Sequence, residues 1–117
     1  MVDPIEQEIL NKGLTAPRIT PADVEANITE ELFFTAADGV IGKGQGAQVA
    51  ENSPARLLTF CVLILRNGFT VTGESACASP ENFDAEVGQK IARRNAVDKI
   101  WPLMGYELKT RLYEEGV

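Results

Sequence analysis

The sequence predicts one α+β domain over residues 1–117: a small antiparallel sheet built on a central hairpin, packed with a short N-terminal helix and two C-terminal helices. Three observations lead there. Two runs of strand-forming residues, Arg56 to Arg66 and Phe69 to Ser75, flank Asn67-Gly68, a pair that tolerates the positive φ a type I′ turn needs, so residues 56–75 read as a hairpin. The first run, Leu57 to Leu65, is apolar on both alternating faces, as in a central strand covered above and below. The second alternates, with Phe69, Val71 and Gly73 on one side and Thr70, Thr72 and Glu74 on the other, as when one face is wetter. The third observation is helical periodicity over residues 84–114, interrupted at Trp101-Pro102 because a residue before proline avoids the α region. That interruption divides the segment into two predicted helices.

Residues 1–29 form a helical N-terminal segment. Asp3-Pro4 has the composition of a helix start, with a capping carboxylate and proline at the first helical position, and Gly13 ends the helix. Thr20-Pro21-Ala22-Asp23 repeats that grammar and predicts a helix of about two turns to Ile28, with Val24 and Ile28 on one side. Glu31 to Ala36 suits a short strand or a further helical turn, and propensity does not decide. Residues 38–54 carry four glycines by Asn52 and almost no bulky side chain, which predicts a flexible surface loop. Gly42-Lys43-Gly44-Gln45-Gly46 inside it lacks the Walker spacing and its hydroxyl residue, so a connector is the better reading than a phosphate loop. In the segment from 84, Gly88, Ala92 and Ala96 recur every fourth residue, a stripe that lets a backbone lie close to a sheet or a twin helix.

A chain of 117 residues with 44% hydrophobic and 24% charged side chains supports one modest core. Its 17 acidic and 11 basic residues give a net charge of -6, which argues against nonspecific attraction to DNA or an anionic membrane. No basic-then-apolar leader precedes Lys12 and no apolar run is long enough to span a bilayer, so an intracellular protein is expected. In that setting Cys61 and Cys77 read as reduced packing residues rather than a disulfide. The absence of histidine removes the commonest general base and metal ligand. Glu74, Glu81, Asp84 and Glu86 show no metal spacing. The composition therefore predicts a binder, not an enzyme, with no cofactor and no metal.

Three features have the chemistry of a binding site. Lys90, Arg93 and Arg94 are helix neighbours whose like charges invite an anion; the plainer alternative is a solvated face on which Glu86 pairs with Lys90. Gly73 to Phe83 leads small side chains, Ser75 among them, into a helix start whose free N–H groups suit phosphate, or simply a cap built by Ser79 or Asn82. Phe69 and Phe83 offer rings that stack on a base, or that pack inward as aromatic residues at element boundaries usually do.

Several stretches carry a resemblance. Asn67 to Cys77, Ser79 to Asp84, Gly88 to Arg93, Lys99 to Leu103 with Gly105-Tyr106, and the earlier Thr20 to Ile28 together resemble a family of small bacteriophage proteins that includes the first Thoeris anti-defence protein. The resemblance covers most of the chain outside the glycine-rich loop. It implies a sponge that captures a cyclic ADP-ribose isomer made by bacterial TIR proteins and holds it uncleaved in the cytoplasm of the infected host. Some relatives also hold cyclic di- or trinucleotides in separate pockets. It further implies a homo-oligomer, a dimer or a hexamer, with ligand between protomers and the Gly88/Ala92/Ala96 stripe at an interface. Such a ligand requires stacking, phosphate donors and amides rather than a general base. On that resemblance Phe69 or Phe83 stacks on adenine, Asn82 hydrogen-bonds the ligand with help from Ser75, and Arg93 with Arg94 meets phosphate. Arg18 is implied at a second, oligonucleotide site.

Overall fold

The structure, a computed structural model, describes residues 3–45 and 48–116. Helix α1 spans Pro4–Asn11, started by the Asp3 carboxylate accepting the Ile5 N–H at 2.8 Å. Helix α2 spans Pro21–Ala26 inside a reciprocal cap: Thr20 Oγ1 accepts the Asp23 N–H at 3.1 Å and the Asp23 carboxylate accepts the Thr20 N–H at 2.9 Å. Strand β1, Ile28–Thr35, settles the undecided stretch as a strand. Helix α3, Ala36–Gly42, lies where the glycine-rich loop was expected to begin. Its start is the same device as that of α2, with Thr35 and Asp38 capping each other through bonds of 3.1 and 2.9 Å. A loop starting at Asp38 is thus corrected to a helix that ends at Gly42, and Gly46, in the rejected phosphate-loop motif, lies outside the described residues.

Strands β2, Leu58–Leu65, and β3, Thr70–Ala76, complete a sheet in the order β1-β2-β3, antiparallel throughout. The hairpin forms, but its turn is not type I′. No residue other than glycine has positive φ among the described residues, so Asn67 does not, whereas Gly68 sits at 89°. The Gly68 N–H bonds to the Leu65 carbonyl at 2.8 Å and the Leu65 N–H to the Phe69 carbonyl at 2.8 Å. Arg66, Asn67 and Gly68 therefore make a three-residue loop with glycine at its left-handed position. Asn67 serves through its side chain instead, its Oδ1 accepting the Phe69 N–H at 2.9 Å.

Helix α4 runs unbroken over Ala85–Glu114, with Pro102 inside it. The expected division into two helices is corrected. Pro102 cannot donate to the Asp98 carbonyl, but both residues are exposed, so the carbonyl is not an acceptor sealed away from solvent and the break costs the helix less than it would in the core. Asp84 caps the helix by accepting the Val87 N–H at 3.0 Å; Ser79 and Asn82 instead precede and end a 3-10 turn at Pro80–Asn82.

The first half of α4 lies along one face of the sheet. Gly88, Ala92, Ala96 and Ile100 are its buried residues, packed with Cys61, Leu63, Leu65 and Val71, and with Val24 of α2. The contact is backbone on backbone at Gly73: a Cβ there would overlap the Ala92 carbonyl oxygen and the Ala96 nitrogen. The small-residue stripe is thus spent on the chain's own sheet, and its expected place at an interface between protomers is corrected. The central strand is also not covered on both sides. Thr59, Cys61, Leu63 and Leu65 are buried beneath α4, while Leu58, Phe60, Val62 and Ile64 on the opposite face are half-buried. Both cysteines are free thiols, and burial, the main cause, raises the Cys61 pKa.

Candidate functional site: two recesses at opposite ends of the hairpin

The residues singled out from sequence divide into two groups. Ser75, Asn82 and Phe83 come together at the start of α4, lining a recess of about 130 Å³ with Thr59, Cys77 and Val87. The 3-10 turn at Pro80–Asn82 folds the link back on itself and brings Asn82 and Phe83 against the end of β3. Cys77 Sγ donates to the Ser79 carbonyl at 3.2 Å, fixing the turn's entrance. The only charged group lining this recess is the Asp84 carboxylate, engaged in capping. It suits a small flat neutral group and offers nothing to a phosphate.

Phe69 lies at the far end of β3, beside the turn, and is 55% exposed. With Asn27, Leu65, Asn67, Leu103, Met104 and Glu107 it encloses a recess of about 230 Å³. Asn27 Oδ1 accepts the Arg66 N–H at 3.0 Å, as Asn67 Oδ1 accepts that of Phe69, which leaves the NH2 groups of these two lining residues as donors not used in those bonds. An aromatic wall with amide donors and a carboxylate acceptor is the complement of a nucleobase edge.

Met104 and Glu107 are shared with an adjoining groove of about 310 Å³, where Arg18, Arg66 and Arg111 converge with Asp23. Arg18 is held by a two-pronged pair with Glu6, both bonds 2.8 Å, which raises the arginine pKa and lowers that of the glutamate. Arg66 and Arg111 form no ion pair among the described residues. Sequence reasoning singled out Phe69 and Arg18 but not their neighbours Arg66, Arg111, Asn27 and Glu107. These four sit on the turn, the end of α2 and the last turns of α4, so no local spacing signals their meeting.

Arg93 and Arg94 join neither recess. The Arg93 guanidinium is filled by two carboxylates, with Nη2 donating to Glu25 at 2.8 Å and Nε donating to Glu31. These two hydrogen bonds, that to Glu25 first, push its pKa far above the ordinary value. Expected as a phosphate ligand, Arg93 here ties α4 to α2 and β1. Lys90 pairs with Glu86 at 3.1 Å on an exposed surface. Of the expected cationic face only Arg94 has no ion pair among the described residues; it is exposed and lines neither recess nor the groove. Among the described residues no cluster has the makings of a metal site, and no helix is long and apolar enough to cross a membrane.

A search of curated proteins finds no match, and a search of solved structures finds none. A family model matches residues 19–112, from the residue after Arg18 to Leu112 in the last turn of α4, taking in the sheet, the Phe83 recess and every lining residue of the Phe69 recess. The chain belongs to the phage protein (N4 Gp49/phage Sf6 gene 66) family.

Proposed function

We propose that this phage protein is an anti-defence sponge, which binds a cyclic signalling nucleotide in the host cytoplasm and withholds it uncleaved from the defence system that made it. The observation that carries the reading is the meeting of Arg66 and Arg111 beside Arg18 in a chain of net charge -6, next to an aromatic recess. In an acidic protein, arginines without carboxylate partners are kept for an anion, and the fork of a guanidinium fits phosphate oxygens. A base seated on Phe69, within reach of the Asn27 and Asn67 amides, would carry its phosphates toward Arg66 and Arg111. The Phe69 recess, about 230 Å³, and the adjoining arginine groove, about 310 Å³, share Met104 and Glu107 and together offer room for base and phosphates, and the reading takes the protein to act as a homo-oligomer. Glycocyclic ADP-ribose, cyclic dinucleotides and cyclic trinucleotides are the ligands to try.

Titration calorimetry with each compound tests the reading. Binding is expected for at least one, with Arg66→Ala or Arg111→Ala weakening it by about 1–3 kcal/mol, as for a lost charge-assisted hydrogen bond, and the ligand is expected intact after the complex is boiled. No heat with any of them at micromolar protein ends the proposal; a cleaved product ends the sponge and leaves a nuclease. A second reading, capture of a host protein, draws on Tyr106 and Tyr113, which are 79% and 77% exposed one heptad apart on α4. A stoichiometric protein partner lost on Tyr106→Ala, from a preparation that releases no nucleotide, would favour it.

A further inference from the structure

Helix α1 is fastened to the chain beyond it by a single polar contact. It buries no residue, and only its Glu6 and Ile9 are even half-buried. Beneath it Asp3, Ile5, Ile9, Ile19 and Trp101 line a cavity of about 160 Å³, so its apolar side is not packed down. Among the described residues, the two 2.8 Å bonds from the Arg18 guanidinium to the Glu6 carboxylate are the only side-chain hydrogen bonds that tie α1 to anything outside it. They also form the least exposed ion pair, at 25% for Arg18 and 15% for Glu6.

Arg18 stands at a border. It lines the cavity under α1 and also the groove that holds Arg66 and Arg111, whereas Glu6 lines the cavity alone. Of the three guanidiniums in that groove, Arg18 is the one already occupied by a carboxylate of the chain itself. Glu6 takes both of its terminal nitrogens, the two-pronged geometry in which a guanidinium also grips phosphate.

We propose that α1 is a releasable latch: the Glu6 carboxylate stands in for phosphate on Arg18, and a phosphate-bearing anion entering the groove takes Arg18 from it and frees the helix. The inference rests on the reading of the arginine groove as the phosphate end of the ligand site. The exchange trades one oxyanion for another on the same fork, and since α1 buries no residue its departure exposes little apolar surface. Residues 12–17, which join α1 to Arg18, are all exposed, and Gly13 turns the chain there at φ 65°, so no packed contact resists the movement. A freed segment of eight residues is too short to stay helical in water, which makes release visible as loss of helix. Arg66 and Arg111 lie within the residues of the family match, while Glu6 and Arg18 lie outside them. The latch is thus laid over the groove rather than built into it.

Pyrophosphate, which offers phosphates and nothing else, is the probe. Titration calorimetry on the full chain is expected to show binding that Glu6→Gln tightens about tenfold, the factor by which a latch closed in about nine molecules of ten lowers apparent affinity. Glu8→Gln removes an equal charge from the same helix, but Glu8 pairs with Lys12 and lines neither cavity nor groove. At about 0.15 M salt it is expected to change affinity less than about twofold. In an Arg18→Ala chain the effect of Glu6→Gln is expected to vanish, its partner being gone. Saturating the wild type with pyrophosphate is expected to move the amide shifts of residues 5–11 toward coil values while those of β2 hold. Equal affinities for Glu6→Gln and Glu8→Gln overturn the inference. So does a Glu6→Gln effect that survives Arg18→Ala, and so do α1 amides that stay helical at saturation. A chain that binds a cyclic nucleotide but no pyrophosphate overturns the latch and leaves the sponge. Pyrophosphate binding with the full Glu6→Gln effect, but no cyclic nucleotide bound, keeps the latch and removes the sponge.

Discussion

Gly73 is the position at which a single atom decides the packing. The residues around it are main chain, the Ala92 carbonyl and the Ala96 nitrogen, and a helix backbone yields far less readily than a side chain tip. Gly73→Ala must push α4 off β3, so it is expected to destabilise the fold by about 3 kcal/mol or more, at or beyond the upper end of overpacking costs. A urea melt that moves by less than a third of that would mean the helix can shift without loss. Arg93 makes the contrasting case. Its side chain is 31% exposed and those of its partners Glu25 and Glu31 are 53% and 41% exposed, so solvent screens much of the double ion pair. Arg93→Ala is expected to cost only about 1 kcal/mol of stability and to leave nucleotide affinity unchanged. Arg94→Ala is expected to stay within about 0.5 kcal/mol of wild type. A drop in affinity on Arg93→Ala would return that residue to the site.

At the scale of elements, caps and alternation were legible in the sequence and continuity was not. Asp3-Pro4 and Thr20-Pro21-Ala22-Asp23 announce α1 and α2, and the apolar run before Asn67 announces a central strand, because these are local patterns with local causes. The same Thr-x-x-Asp pattern at Thr35 to Asp38 announces α3, but the glycines after it masked the signal. Pro102 misled in the other direction: burial of Ile100 before it and of part of Met104 after it holds the helix through the proline, a tertiary effect no window of sequence contains. Pro102→Ala is accordingly expected to stabilise the protein by about 1–3 kcal/mol, as a helix-interior proline is replaced by the best helix former. A lower melting temperature would show that the ring makes contacts worth more than the lost bond. Helix α1 depends on electrostatics instead, since it buries no residue and is joined to Arg18 through Glu6. Arg18, chiefly by its hydrogen bond, lowers the Glu6 pKa from its ordinary 4.5. The Thr20 N–H, followed by its hydroxyl, lowers that of Asp23 from 3.8. A depressed folded-state value stabilises the fold above the unfolded one, and the contribution is lost as pH falls through the depressed value. Acidification from about pH 5 to pH 3 is thus expected to release α1 first, with the amide shifts of residues 4–11 moving toward coil values while those of β2 hold. Simultaneous loss of both would mean α1 belongs to the cooperative core.

For the whole molecule, charge sets how an anionic ligand arrives. The groove carries little net charge: Arg18 is paired with Glu6, and Asp23 and Glu107 line it beside Arg66 and Arg111 without forming ion pairs with them. Seen from a distance, a phosphate-bearing ring therefore meets not two free guanidiniums but a body of net charge -6. Repulsion over that range is what salt removes, the screening length falling from about 30 Å at 0.01 M to about 8 Å at 0.15 M. Contacts at hydrogen-bond distance lie well inside either length and are little affected. Association of a cyclic nucleotide, followed by stopped-flow, is therefore expected to quicken as sodium chloride rises across that interval, with the dissociation rate nearly constant. This is the reverse of the salt response of a protein that draws anions through a basic surface. Association that slows with salt would mean the Arg66 and Arg111 field extends into solvent and outweighs the acidic remainder, and it would place the encounter with ligand on that side of α4.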